Sequence, residues 1–208
     1  MSVGLPSVLA LTQARCSGSP ALSTAWPREA DEGKEVSQRN SGYVRRANDN
    51  YPTPAWVTDA LIPHLPIRNC VVWEPAAGSG QMVAALSSAG FDVAASDIAN
   101  GQDFLTQPAP RPFRAIITNP PYELATEFIE RALSIMPADG FVAMLLRTDF
   151  DHAKSRKHLF GECASFWKKV VLTKRIKWFD DSDGQPSFNH AWYIWAAHSG
   201  KPTLAYGP

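Results

Sequence analysis

Hydrophobic positions in this chain alternate between a helical period and short apolar runs. Around residues 55–65, Trp56, Val57, Ala60, Leu61 and Leu65 recur at helical spacing after Pro52 and Pro54, which predicts a short amphipathic helix. Residues 70–73 predict a strand ending in the turn Glu74-Pro75-Ala76-Ala77-Gly78-Ser79-Gly80. A helix is expected over residues 81–89, closed by Gly90, and a second strand over 91–96, ending at Asp97. Residues 115–118 read as a third strand that runs into Asn119-Pro120-Pro121-Tyr122. Leu124, Phe128, Ala132 and Met136, with Ile129 and Leu133 beside them, form a helical stripe that stops before Pro137. Residues 141–146 are apolar without interruption, as in a parallel strand covered on both faces. Two last strands are expected at 170–172 and 191–197. Strand–helix alternation of this kind predicts a doubly wound α/β sheet in a single domain.

Before residue 48 this patterning is absent. Ser, Ala, Gly and charged residues dominate there, so residues 1–47 are expected to form a disordered leader ahead of a folded domain over 48–208. A length of 208 residues, 45% of them hydrophobic, suits one ordinary core. No apolar run approaches the roughly 20 residues that span a bilayer. The short apolar stretch at residues 3–11 has no Lys or Arg before it, so a signal peptide is not expected. Cys16, Cys70 and Cys163 are scattered and lack CxxC spacing, which suggests reduced thiols and a cytoplasmic location, with no zinc site. Formal net charge is +0, so no chain-wide basic bias argues for nucleic acid.

In a doubly wound sheet, ligands bind beyond the carboxyl ends of the strands. Gly78 and Gly80 fall there, where missing side chains let backbone approach a ligand and turn into a helix. The third glycine of a dinucleotide fingerprint would be residue 83, which is Val83, and no GxxxxGK loop exists. Asp97 ends the second strand, where a carboxylate can accept hydrogen bonds from both hydroxyls of a ribose. Asp103 is placed to receive the amino group of an adenine ring, with Phe104 packed against that ring. Each has a plainer alternative: a simple turn for the glycines, a helix cap for Asp97, a surface position for Asp103.

Asn119-Pro120-Pro121-Tyr122 carries the most chemistry. Two successive prolines fix the backbone and donate no hydrogen bonds, which suits a rigid loop whose carbonyls face a ligand. An exocyclic amine is a weak nucleophile because its lone pair is delocalised into the ring, so acceptors help it more than a strong base does. The Asn119 amide oxygen and the Pro120 carbonyl can each accept one N–H, with the gain coming from positioning and preorganised dipoles. Tyr122 can stack on a base flipped out of a duplex. The plainer alternative is a proline-stiffened loop with Tyr122 as packing.

With these motifs in this order, the sequence resembles the class I S-adenosylmethionine-dependent methyltransferases, and specifically the N6-adenine DNA methyltransferases of gamma-type motif order. The resemblance covers roughly residues 48–198. It implies a single-domain, Rossmann-like methyltransferase fold with a mostly parallel, seven-stranded sheet, and S-adenosyl-L-methionine as cofactor. Tyr51, Thr53 and Pro54 are similar to an N-terminal motif that packs against the methionine part of that cofactor. Glu74, Pro75, Ala76, Gly78 and Gly80 resemble the cofactor turn, and Asp97 with Ile98, then Asp103 with Phe104, the positions that follow. Asn119, Pro120, Pro121 and Tyr122 resemble the catalytic tetrapeptide. Segments 175–179 and 186–190 are similar to phage and prophage members, in which this region helps hold the extruded base; Arg175 and Phe188 are the substrate contacts this implies.

The larger members carry a separate target-recognition domain, and nothing in this chain is long enough to be one. Short loops at residues 148–160 and 179–188 would have to serve, with the basic run of Lys154, Arg156, Lys157, Lys168, Lys169, Lys174, Arg175 and Lys177 as a phosphate-contacting face or simply a solvated one. Asp180, Asp181 and Asp183 lack the rest of a calcium loop and read as a plain loop. The expected partner is DNA, with the N6 amino group of a flipped adenine as methyl acceptor. C5-cytosine methylation needs a cysteine nucleophile, usually after a proline, and none of the three cysteines follows one. RNA adenine methylation, glutamine methylation of a protein, and an inactive binding module of the same fold remain open alternatives.

Overall fold

The strand β4 (Phe141–Arg147) shows why this chain folds as a layered sheet. Every residue from Phe141 to Leu146 is fully buried, so both faces of the strand must be covered. Phe141, Ala143 and Leu145 pack on one side, and Val142, Met144 and Leu146 on the other, as the two-residue period of a strand requires.

In the computed structural model, residues 51–178, 188–198 and 200–208 are described, all within one compact unit that spans residues 39–208. The expected leader and Asp180, Asp181 and Asp183 lie outside the described residues. The remaining strands are β1 (Val71–Glu74), β2 (Asp92–Ala95), β3 (Ala115–Thr118), β5 (Phe166–Leu172), β6 (His190–Ala196) and β7 (Thr203–Gly207). They form a seven-stranded sheet in the order β2-β1-β3-β4-β6-β5-β7. All pairings are parallel except those of β6, which runs antiparallel to β4 and to β5.

Helices α1 (Ala55–Leu61) and α2 (Gln81–Ser88) cover one face through Val57, Leu61, Met82 and Leu86. Helix α3 (Ala125–Ile135) covers the other through Phe128, Ile129 and Ala132. The sheet is therefore doubly wound, as expected. Three boundaries differ from the sequence reading. Helix α1 gives way after Leu61 to a 3-10 turn over Ile62–His64, because Pro63 has no N–H to continue an α-helical ladder. Strand β5 begins at Phe166, four residues earlier than expected, since Lys168 and Lys169 interrupt its apolar run. Strand β7 completes the seven strands that the resemblance implies, but the apolar pattern did not place it: Leu204 and Tyr206 are exposed, so no buried apolar run marks it.

The parallel strands β1 and β3 lie side by side, while β2 adds to the outer edge of β1. Strand order reverses between β1 and β3, and the crevice above their carboxyl ends is where an open sheet of this kind binds its ligand.

Candidate active site

Glu74 ends β1 and Thr118 ends β3, and the two meet across the crevice: Thr118 Oγ1 donates to Glu74 Oε1 at 2.7 Å. The same oxygen accepts the Ala76 N–H at 3.0 Å. Oε2 has no hydrogen-bond partner, although Glu74 is only 1% exposed. Burial, partly offset by the bonds from Thr118 and Ala76, pushes the Glu74 carboxyl up from 4.5 to about 8, and Asp97 nearby adds to the rise. Its protonated form is therefore favoured at neutral pH.

The turn after β1 depends on its glycines. Gly78 and Gly80 adopt φ of 50° and 81°, left-handed values that side chains disfavour, and Gly80 caps α2. Asp97 ties this turn to the end of β2: its Oδ2 accepts the Gly78 N–H and its Oδ1 accepts the Ala99 N–H, both at 2.8 Å. Asp97 is therefore also the cap of the short 3-10 helix Ile98–Asn100, so the plainer reading holds alongside the ribose one. Each of its oxygens keeps a second lone pair for a ligand hydroxyl. Asp103 is turned partly inward on its own loop, accepting from Leu105 N at 2.9 Å and Thr106 Oγ1 at 3.2 Å. Phe104 is 1% exposed and packs edge-on against Trp73 at 5.0 Å, so it is core as much as cavity floor.

Asn119 follows β3. Its Nδ2 donates to Thr53 Oγ1 at 3.1 Å and reaches the Tyr51 carbonyl at 3.4 Å. A carbonyl can only accept, so the nitrogen, not the oxygen, must face Tyr51. The amide oxygen Oδ1 is left buried and without a partner. Pro120 is buried, and Pro121, with φ −58° and ψ 124°, leads into a 3-10 turn over Tyr122–Leu124 closed by Leu124 N to Pro121 O at 2.9 Å. That geometry makes the loop stiff, as two prolines should.

A cavity of about 720 Å³ joins these pieces. Of the expected cofactor residues, Tyr51, Thr53, Glu74, Pro75, Ala76 and Gly78 line one side, and Asp97, Ile98, Asp103 and Phe104 another; Asn119 and Pro121 border it from the catalytic turn. Pro54, Gly80, Pro120 and Tyr122 are adjacent and do not line it. Pro54 caps α1, its carbonyl accepting Val57 N at 2.9 Å. Met82, Leu124 and Phe128 line the cavity and were missed, because in the sequence they read as ordinary helix positions.

Tyr122 is half-buried in a group of four rings. It stacks on Tyr51 at 6.5 Å and on His190 at 6.0 Å, and Trp178 closes the group at 5.4 Å from Tyr51 and 5.3 Å from His190. Burial, with Arg147 nearby, lowers the His190 pKa to about 4, so the imidazole is neutral. Two of these rings, Trp178 and His190, come from the late segments that the resemblance singled out, although neither ring was itself named there as a contact. Phe188 lies under the Arg147 guanidinium at 4.1 Å, and Arg175 Nε donates to Asn189 Oδ1 at 3.0 Å. These two expected substrate contacts sit beside the ring group and outside the cavity.

Within the basic run, Lys157 pairs with Glu162, Arg156 lies over Phe150, and Lys169 turns inward to Asp151 at 2.9 Å. Segment 154–177 crosses a 3-10 helix, strand β5 and a loop. Among the described residues, no group of three or more His, Cys, Asp or Glu is arranged for a metal ion, and no helix is long and apolar enough to cross a membrane.

The methyltransferase subunit of a type I restriction-modification system from Streptococcus thermophilus superposes with a TM-score of 0.56 at 12% identity, over 76% of this chain and 47% of that one. The chain has the Rossmann-like methyltransferase fold. It spans about half the length of that subunit. The ribosomal protein L11 methylase of Lactobacillus delbrueckii subsp. bulgaricus superposes with a TM-score of 0.47 at 16% identity, over 74% of this chain and 81% of that one. No family model matches the sequence, and no curated protein matches it. At these identities the likeness to a methyltransferase fold concerns the backbone, and the chemistry has to be argued from the side chains above.

Proposed function

We propose that this chain is an S-adenosyl-L-methionine-dependent methyltransferase that methylates the N6 amino group of adenine in DNA. The observation that carries the reading is the divided Asn119 carboxamide, with its nitrogen committed to the N-terminal segment and its oxygen buried, unpartnered and beside the cavity. An unsatisfied buried acceptor is costly, and a donor from a substrate removes that cost.

The cavity fits the cofactor. Its size is in the range for a ligand that joins a nucleoside to an amino acid. Glu74 Oε2 suits an ammonium group, Asp97 a ribose, and Asp103 with Phe104 an adenine ring. When bound, S-adenosylmethionine supplies a methyl carbon made electrophilic by its sulfonium. The protein's part is to hold the nucleophile. Asn119 Oδ1 and the Pro120 carbonyl accept the two N–H groups of the amine, which draws the nitrogen toward tetrahedral geometry and frees its lone pair. The ring group of Tyr51, Tyr122, Trp178 and His190 offers stacking in place of the base stack lost on flipping. Tyr122 already has ring neighbours, so a base enters by displacing or extending them. The neutral His190 costs no desolvated charge there.

Transfer of labelled methyl to duplex DNA, single-stranded DNA, RNA and a release factor tests this reading. Labelled N6-methyladenine nucleoside from digested DNA is the expected product. Label confined to protein or to RNA overturns it.

A further inference from the structure

We infer that Thr53 is a positioning residue for Asn119, setting which end of its carboxamide faces the acceptor amine. The inference rests on the proposed role of Asn119 Oδ1. Thr53 resembles a position that serves the cofactor, but its hydroxyl points to different work. The side chain is 5% exposed, and Oγ1 accepts Asn119 Nδ2 at 3.1 Å across 66 residues of sequence. The other acceptor at that nitrogen, the Tyr51 carbonyl, is longer at 3.4 Å. Without Thr53 Oγ1 the carboxamide is held by one stretched bond, and rotation would point an N–H where an amine must donate its own. An N–H facing an N–H loses the acceptor and adds repulsion, so the orientation matters more than the position. Tyr51 and Thr53 both line the cavity, so one short segment touches the cofactor pocket and sets the catalytic amide.

The test uses the full chain, three variants of Thr53 and, for assignment, Asn119→Asp. In Thr53→Val, which keeps the shape and removes the hydroxyl, kcat for methyl transfer to DNA falls about tenfold, as for loss of one buried hydrogen bond. The KM for DNA stays within about twofold, and any loss of S-adenosylhomocysteine affinity, since Thr53 lines the cavity, is well below the loss of rate. Thr53→Ser recovers most of the lost rate. A Thr53→Val enzyme with unchanged kcat overturns the inference, and so does a loss of S-adenosylhomocysteine affinity that matches the loss of rate. A second measurement is independent of turnover. The side-chain amide proton pair of Asn119, assigned in ¹⁵N-labelled protein by its disappearance in Asn119→Asp, exchanges slowly with solvent in wild type and in Thr53→Ser. It exchanges faster in Thr53→Val and in Thr53→Ala. Equal exchange in all four proteins overturns the inference. If the wild type labels no amine while the pair still depends on Thr53, the functional reading falls and the positioning role stands.

Discussion

At Asn119 a single planar group faces two ways, and that division makes the residue testable. Asn119→Ala removes the acceptor used by the amine, so transfer should fall at least about a hundredfold. Binding of S-adenosylhomocysteine, measured by calorimetry, should change little; a comparable loss of binding would assign Asn119 to the cofactor. Asp97→Ala should weaken that binding by about 1.5–3 kcal/mol, as for hydrogen bonds to a charged group, and should also loosen the turn at Gly78. Glu74 adds a pH signature. Because its carboxyl is protonated below about pH 8 and an ammonium favours the charged form, cofactor affinity should rise from neutral pH and level off above about 8. Glu74→Gln should flatten that profile. These residues were legible because each sits at a strand end within a short motif. The link from Thr53 to Asn119 was not, since sequence spacing carries no trace of a hydrogen bond made in the folded crevice.

Elements set the stability of this arrangement. For Glu74 the folded value lies above the unfolded one, so the folded state holds the extra proton between pH 4.5 and about 8, and stability falls as pH rises through that window. For His190, lowered from 6.5 to about 4, the unfolded chain holds the extra proton, and stability falls as pH drops through that window. Thermal unfolding should therefore show a plateau between pH 4.5 and 6.5 with a decline on each side, and the alkaline decline should vanish in Glu74→Gln. The segment after β4 is held by a second device: Lys169 binds Asp151 and the Thr148 carbonyl, and the Tyr193 hydroxyl reaches Thr148 and Asp151. Burial, with Asp151 beside it, raises the Tyr193 phenol well above its ordinary value. Lys169→Met takes the ammonium from Asp151, which keeps the Tyr193 hydroxyl, and should destabilise the fold by about 2 kcal/mol, between the values for exposed and buried pairs. Six strands and all three helices were readable from the apolar pattern, most of them because they bury at least one face; β2, with none of its four residues buried, was readable only as a short run ahead of Asp97. The position of the seventh strand was hidden because its residues are exposed or only half-buried, and its backbone pairing with β5 defines it.

Over the whole molecule, charge is balanced, with 20 Lys and Arg against 20 Asp and Glu. Among the described residues, Arg111, Arg114, Arg147, Lys157 and Lys169 sit in ion pairs. A duplex that contacts only a few of the cations outside these pairs should release few counterions. The expected slope of log affinity against log salt is about −2 to −4, and a slope near −8 would require a basic face elsewhere in the chain.

The reversal of β6 has a consequence for redesign. Since β5 ends and β6 begins at the same end of the sheet as the glycine turn, the connection between residues 172 and 190 can be exchanged as one cassette. On the proposed function, grafting it from another protein of this architecture, with the buried Ile176 kept, should change which base is methylated, read from digested nucleosides, while S-adenosylhomocysteine affinity stays the same.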